Sequence, residues 1–475
     1  MLKNQYRGAI SEILFQRGFY VFWSLFMLAF FVRFAALIYS DNYLGAGPML
    51  NIITSLRIFS FSGLKDNVFY YPLPLYLYLT YLSVLIGKLQ ILAPRFLSLF
   101  FGSVSVLLFY APVKRLFGKK TAFYAALILC CYPRHILMSV VSSPDIIASV
   151  FIFGALFLVL KKRYFASGLS CALAGALTSV SWLFIIPLFI YFWTEPKSSV
   201  IENSKKSLIF LIPALLVPLA VVLLSADKYR MISSPGTSGI FYANMLGADS
   251  FYSYAYAYGT LLKSILLSLF NGFPLFFVLA VFGMVVCLRK SRKNVLIYFW
   301  GALLLLSSLG LFRREIPLAK EAGFMLSILY IPFAVEALKV ILFYLRLNRR
   351  AWERILYLGL CLCLLGNFIS IAPRLGPQVR LLAGWLEENL GPRDIVFVEK
   401  DAAGVYSSLI MLSGLPQGNF RYLDERHKVT EVTGSFANIY VVQSKDKKLP
   451  DIFRGILLVK DTGAYVVLKN DDQEK

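Results

Sequence analysis

The sequence predicts an all-α polytopic membrane protein of about 11 transmembrane helices. Interfacial helices are expected in its first external loop, and a small extracytoplasmic α/β domain at its C-terminus. Three observations carry this prediction. Hydrophobic residues make up 58% of the 475-residue chain and charged residues only 16%, against about 25% charged in a soluble domain. Apolar runs of spanning length recur as far as Ala372 and then cease. The net charge of +22 comes from 48 basic and 26 acidic residues, of which 13 and 14 lie from Gly376 onward, so the excess belongs to the apolar part. This composition excludes intrinsic disorder, a collagen-like fibre and a small disulfide scaffold. The basic residues sit in short clusters between apolar runs, which is membrane topology rather than nucleic-acid binding.

Spans are expected at Phe19–Tyr39, Phe96–Phe117, Thr121–Val140, Asp145–Leu160, Tyr164–Ser179, Ser181–Trp193, Ser207–Ser225, Lys263–Leu288, Val295–Phe312, Gly323–Leu345 and Arg354–Ala372. The first run is too long for a signal-peptide core and reads as an anchor. Basic clusters at Lys3/Arg7/Arg17, Lys114–Lys120, Lys161–Arg163, Lys197–Lys206, Arg289–Lys293 and Arg346–Arg354 belong in the cytoplasm by the positive-inside rule, so an even number of crossings separates each neighbouring pair. Leu73–Gly87, counted as a crossing, would invert every later cluster, and it is short of the roughly 20 residues a span needs. It therefore reads as a helix in the outer interface, with Tyr70, Tyr71, Tyr76, Tyr78 and Tyr81 as its aromatic anchors. The N-terminus is then cytoplasmic and the C-terminus outside.

Beyond Pro373, Gly376 and Pro377 the pattern changes. Residues 1–375 form the transmembrane domain and 376–475 a soluble one, with an amphipathic helix at Val379–Leu390 and strands near Asp394–Glu399, Asn438–Gln443, Gly455–Lys460 and Ala464–Leu468. The six cysteines all fall in apolar runs and read as small core residues.

Carboxylates at a membrane edge are the informative positions, because a charge there is costly. Asp41 follows the first span, and Asp145 stands at the tip between the third and fourth spans. Either can serve as a general base toward an acceptor hydroxyl or amine. The competing reading makes each a helix cap, as in Ser-Pro-Asp-Ile at Asp145. Cations on the same side are Arg57, Arg313, Arg314 and Lys320, with Arg313-Arg314 favoured to meet an anionic leaving group. Arg134-His135 read either as a phosphate or Asp145 partner or as a buried structural pair.

The order of features is informative. Ser40-Asp41-Asn42-Tyr43 follows the first span, then come Tyr71-Pro72-Leu73-Pro74-Leu75-Tyr76 and Pro94-Arg95-Phe96-Leu97-Ser98. Lys114-Arg115-Leu116-Phe117-Gly118, Tyr132-Pro133-Arg134-His135 and Ser143-Pro144-Asp145 complete it. From about Ala29 to Trp193 this resembles the glycosyltransferase C superfamily of membrane sugar transferases, nearest its protein O-mannosyltransferase and lipid A aminoarabinose transferase branch. The resemblance implies a polyprenyl-phosphate-linked sugar as donor and a lipid, glycan or protein as acceptor. It implies Asp41 as base and Asp145 as a second active-site carboxylate. Substrate contacts would fall to Tyr43, Arg57, Arg134, His135, Arg313, Arg314 and Lys320. No cofactor is required by the residues, although two carboxylates at one face could hold a divalent cation. Asn42 stands where the family has Glu, which keeps a non-catalytic envelope-polysaccharide scaffold as a rival; a transporter or lipid flippase is the other. The expected location is the bacterial inner membrane.

Overall fold

The computed structural model describes residues 2–39, 74–87, 92–178, 181, 184–194, 199–229, 274–290, 327–344, 349–371, 377–391, 394–399, 420–423, 439–444, 456–461 and 465–470. The protein is mostly helical. Among the described residues the helices are α1 (Leu2–Tyr39), α2 (Pro74–Gly87), α3 (Leu92–Phe117), α4 (Lys119–Cys131), α5 (Pro133–Val140), α6 (Pro144–Leu160) and α7 (Tyr164–Gly175). They continue as α8 (Ile185–Thr194), α9 (Val200–Tyr229), α10 (Pro274–Lys290), α11 (Ile331–Tyr344), α12 (Arg349–Ile371) and α13 (Pro377–Asn389). Tyr20–Tyr39, Leu92–Phe117 and Ser327–Tyr344 are long and apolar enough to cross a membrane. The expected span Val295–Phe312 and most of the first external loop lie outside the described residues.

Thr121–Val140, expected as one span, is a bent pair of helices that together are long and apolar enough to cross a membrane. α4 and α5 meet at Tyr132 with a 55° bend. Pro133 is the cause: it has no N–H to continue the ladder, and its ring drives the residue before it out of the α region. Tyr132 accordingly adopts φ −71°, ψ 116° and serves as both the end of α4 and the N-cap of α5.

The chain forms two compact units. The first comprises Met1–Leu37, Gly63–Leu79 and Phe96–Ala372. Its helices approach through small residues, as membrane helices do when packing rather than water exclusion joins them. Ala122, Ala125, Ala126 and Leu129, at helical spacing, are fully buried on α4, which packs against α11 and α12. Tyr124 of α4 stacks on Tyr357 of α12 at 3.9 Å between ring centroids. α6 is buried nearly all round. Ser167 and Ser170 of α7 donate to the Ala155 and Phe151 carbonyls of α6 at 2.8 and 2.7 Å, each bond contributing about 0.6 kcal/mol by the average for such interhelical contacts.

The second unit comprises Ile38–Ser62, Thr80–Arg95 and Pro373–Lys475. It contains the strands β1 (Ile395–Glu399), β2 (Phe420–Leu423), β3 (Ile439–Ser444), β4 (Ile456–Asp461) and β5 (Tyr465–Asn470), in the order β2-β1-β3-β5-β4. β1 pairs in parallel with β2 and β3, so that Val396 faces Phe420 on one side and Tyr440 on the other. β5 runs antiparallel to β3 and β4, with an irregularity between Leu458 and Lys460. On α13 the buried residues Leu382, Ala383 and Leu386 form one helical stripe.

Candidate active site around Asp145

Asp145 occupies the first turn of α6 and is 8% exposed. The turn before it is built to hold it. Ser143 is the N-cap, and its Oγ accepts from the Asp145 amide at 3.2 Å. The same hydroxyl donates to Asp145 Oδ2 at 3.2 Å. Pro144, fixed in φ, suits the first helical position. The cap role offered for Asp145 therefore belongs to Ser143. Asp145 is the second residue of α6, within its first turn, where the helix dipole favours a negative charge.

Ser142 adopts φ +60°, a left-handed conformation that costs a non-glycine residue on the order of 1–3 kcal/mol. Tyr76 of α2 holds it there. The phenol donates to the Ser142 carbonyl and lies 2.9 Å from Ser142 Oγ. Tyr76 is only 3% exposed, so it is not the interfacial anchor the sequence suggested; Tyr78, at 39%, is placed as such an anchor would be.

Arg134 and His135, adjacent at the start of α5, go different ways. Arg134 brings its charge within electrostatic range of Asp145, Tyr132 and Tyr330. Tyr132 and the fully buried Tyr330 have their hydroxyls 3.2 Å apart. His135 is fully buried with Nδ1 2.6 Å from a terminal nitrogen of Arg33 and Nε2 3.0 Å from Ser105 Oγ. A guanidinium only donates, so Nδ1 must accept; the imidazole is then neutral, carries its proton on Nε2 and donates to Ser105. Ser105 donates in turn to the Gly102 carbonyl at 2.8 Å.

Arg33, also fully buried, spends its other donors on Ser139 Oγ at 3.2 Å and on the Ala29 carbonyl at 2.8 Å. Ser139 passes its own proton to the His135 carbonyl at 2.6 Å. The result is a buried network joining α1, α3 and α5, in which the guanidinium meets no carboxylate among the described residues. Gly102 permits it: a Cβ there would stand 2.8 Å from Ser139 Cβ and 3.2 Å from Arg33 Nε. An arginine inside an apolar first span was the available sequence signal for this network. The tyrosine of the Pro-Leu-Tyr segment was the signal for the Ser142 anchor.

Asp41, Tyr43, Arg57, Arg313, Arg314 and Lys320 lie outside the described residues. Among the described residues no three His, Cys, Asp or Glu side chains gather as a metal site would require. None of the six cysteines forms a disulfide, and among them Cys363 is the exposed one.

The sequence profile of the family described as dolichyl-phosphate-mannose-protein mannosyltransferase matches residues 71–224, the segment holding Tyr76, Arg134 and Asp145. The fold is that of ArnT from Cupriavidus metallidurans. The apo form aligns with a TM-score of 0.61 at 14% identity over 96% of this chain and 98% of that one. The form bound to undecaprenyl phosphate aligns at 0.60 and 13% over 94% and 98%. The Archaeoglobus fulgidus oligosaccharyltransferase tethered with an acceptor peptide aligns at 0.53 and 13%, over 90% of this chain and 69% of that one. No curated protein sequence matches the chain.

Proposed function

We infer that the chain is a membrane glycosyltransferase of the glycosyltransferase C superfamily, one that takes a hexosyl or pentosyl unit from a polyprenyl-phosphate carrier. The acceptor, a lipid, glycan or protein, receives it at the extracytoplasmic face of the bacterial inner membrane. The observation that carries this reading is the holding of Asp145. Its carboxylate is fixed by Ser143, its turn by Tyr76, and Arg134 bears on it, all inside the segment that matches the mannosyltransferase family. ArnT, which shares the fold, has been captured with undecaprenyl phosphate.

In the proposed reaction Asp41 removes the proton from the acceptor hydroxyl or amine. The freed lone pair attacks the anomeric carbon, and the bond from that carbon to the carrier phosphate breaks. Negative charge grows on the departing phosphate, so the cations Arg313, Arg314, Lys320 and Arg57 are assigned to it, with Tyr43 beside the base. Asp145 aligns Arg134 for the same task. His135 has both ring nitrogens engaged, so its part is to hold α5 rather than to touch substrate. A divalent cation, were one used, would need Asp41 together with Asp145.

The test is turnover of a radiolabelled polyprenyl-phosphate sugar by purified, reconstituted protein. Release of polyprenyl phosphate with label on an acceptor is expected, and Asp41→Asn should slow it by at least about a hundredfold. Parental rates in both Asp41→Asn and Asp145→Asn would overturn the reading. Asn42 supports one alternative, a non-catalytic scaffold, which would bind the donor without consuming it.

A further inference from the structure

A cavity of about 510 Å³ opens beside α10 and α11, at the opposite chain end of α11 from Tyr330. We propose that it binds the phosphate-bearing headgroup of an anionic membrane phospholipid at the cytoplasmic leaflet. The inference is independent of the sugar-transfer reading.

The cavity follows from how the two helices pack. Gly283 of α10 lies directly against the Phe333 carbonyl of α11, where a Cβ would also come within 3.2 Å of the Ala337 amide. Farther along both helices in the same direction, Val286 and Arg289 face Glu336, Lys339 and Val340 across the opening. Lys339 and Glu336 neutralise one another at 2.8 Å, and Thr121 of α4 bonds to both. Arg289 is exposed and makes no ion pair or hydrogen bond among the described residues. Among the described lining residues, one positive charge is therefore left uncompensated.

Depth and surroundings select the ligand. Phe343 and Tyr344 complete the lining and are 68% and 77% exposed, the placing of aromatic residues at a membrane interface. Val278, Val281, Phe282, Val285 and Leu288 leave an exposed apolar stripe on α10, a path for acyl chains below the headgroup. Lys119 and Lys120 precede Thr121, Lys290 follows Arg289, and Arg346, Arg349 and Arg350 follow Tyr344. This concentration of cations marks the end of the bundle that the positive-inside rule gives to the cytoplasm, where anionic lipids hold basic residues. The size suits a small-molecule site.

Native mass spectrometry of the purified full-length protein, titrated with phosphatidylglycerol or phosphatidylcholine, tests the proposal. Arg289→Gln is expected to weaken the tightest phosphatidylglycerol site about fivefold, the factor one lipid–cation contact carries. Arg289→Lys should largely restore it, and phosphatidylcholine binding should be unchanged. Lys205→Gln, which removes an exposed cation from another basic cluster, is the matched control. Equal losses in Arg289→Gln and Lys205→Gln, or no loss in Arg289→Gln, would overturn the proposal. So would an Arg289-dependent adduct with inorganic phosphate alongside no preference for phosphatidylglycerol, since the site would then serve a soluble anion. Unfolding of each variant in zwitterionic detergent separates lost binding from lost fold.

Discussion

Tyr76 and Arg33 show how single side chains hold backbone and helices in place without reacting. The Tyr76 hydroxyl is the contact that keeps Ser142 in its left-handed conformation. Tyr76→Phe removes that hydroxyl and nothing else. It should cost about 1 kcal/mol in unfolding, the usual net worth of a hydrogen bond. In a transfer assay kcat should fall while donor KM holds, because Asp145 is misplaced rather than lost. Arg33→Met should cost more, about 2 kcal/mol, since three contacts at roughly 0.6 kcal/mol each disappear and His135 Nδ1 is left without its donor. Thermal unfolding in detergent reads both. Asp145 was legible in the sequence because an acidic residue beside an apolar run is rare. Tyr76 was not, because a tyrosine near a membrane edge has a commoner explanation as an anchor. Its true partner, the Ser142 carbonyl, belongs to every residue type and leaves no mark in the sequence.

At the scale of elements the decisive feature is the break at Pro133. Hydropathy sees Thr121–Val140 as continuous, since a bend changes no side chain's polarity. Proline at 133 was in plain view, yet only the backbone shows that α5, which carries Arg134 and His135, departs by 55° from α4. Pro133→Ala restores an amide and permits α4 to run on into α5. Helical content by circular dichroism should hold or rise, while transfer falls at least tenfold as Arg134 leaves its place near Asp145. Unchanged transfer would mean that the bend is not needed to aim Arg134. The strands illustrate the converse. β1, β3, β4 and β5 are apolar and β-branched enough to stand out, whereas Phe420-Arg421-Tyr422-Leu423 is too short to show a period, and β2 is visible only through its pairing with β1.

For the whole molecule, charge placement carries the topology argument, because a basic loop reports the side on which it stays. That argument predicts that Lys119→Cys reacts with an impermeant thiol reagent in inside-out vesicles and not in right-side-out ones. Labelling from the outer face would reverse the arrangement. Charge placement is silent on Arg33, whose partners are contributed by distant parts of the chain. His135 lies 102 residues later and Ser139 106 residues later. During synthesis α1 therefore enters the bilayer long before its hydrogen-bonding companions exist, with only the Ala29 carbonyl to serve the guanidinium. An arginine costs about 2.5–3.5 kcal/mol on insertion scales at the centre of a span, and Arg33, a few residues beyond the centre of Tyr20–Tyr39, carries a part of that cost. Nascent chains halted after Phe117 should hold their first segment loosely, and Arg33→Leu should anchor it, even though the same substitution harms the finished protein. Biogenesis and the mature fold thus make opposite demands on one residue, which alkylation of arrested ribosome–chain complexes can measure.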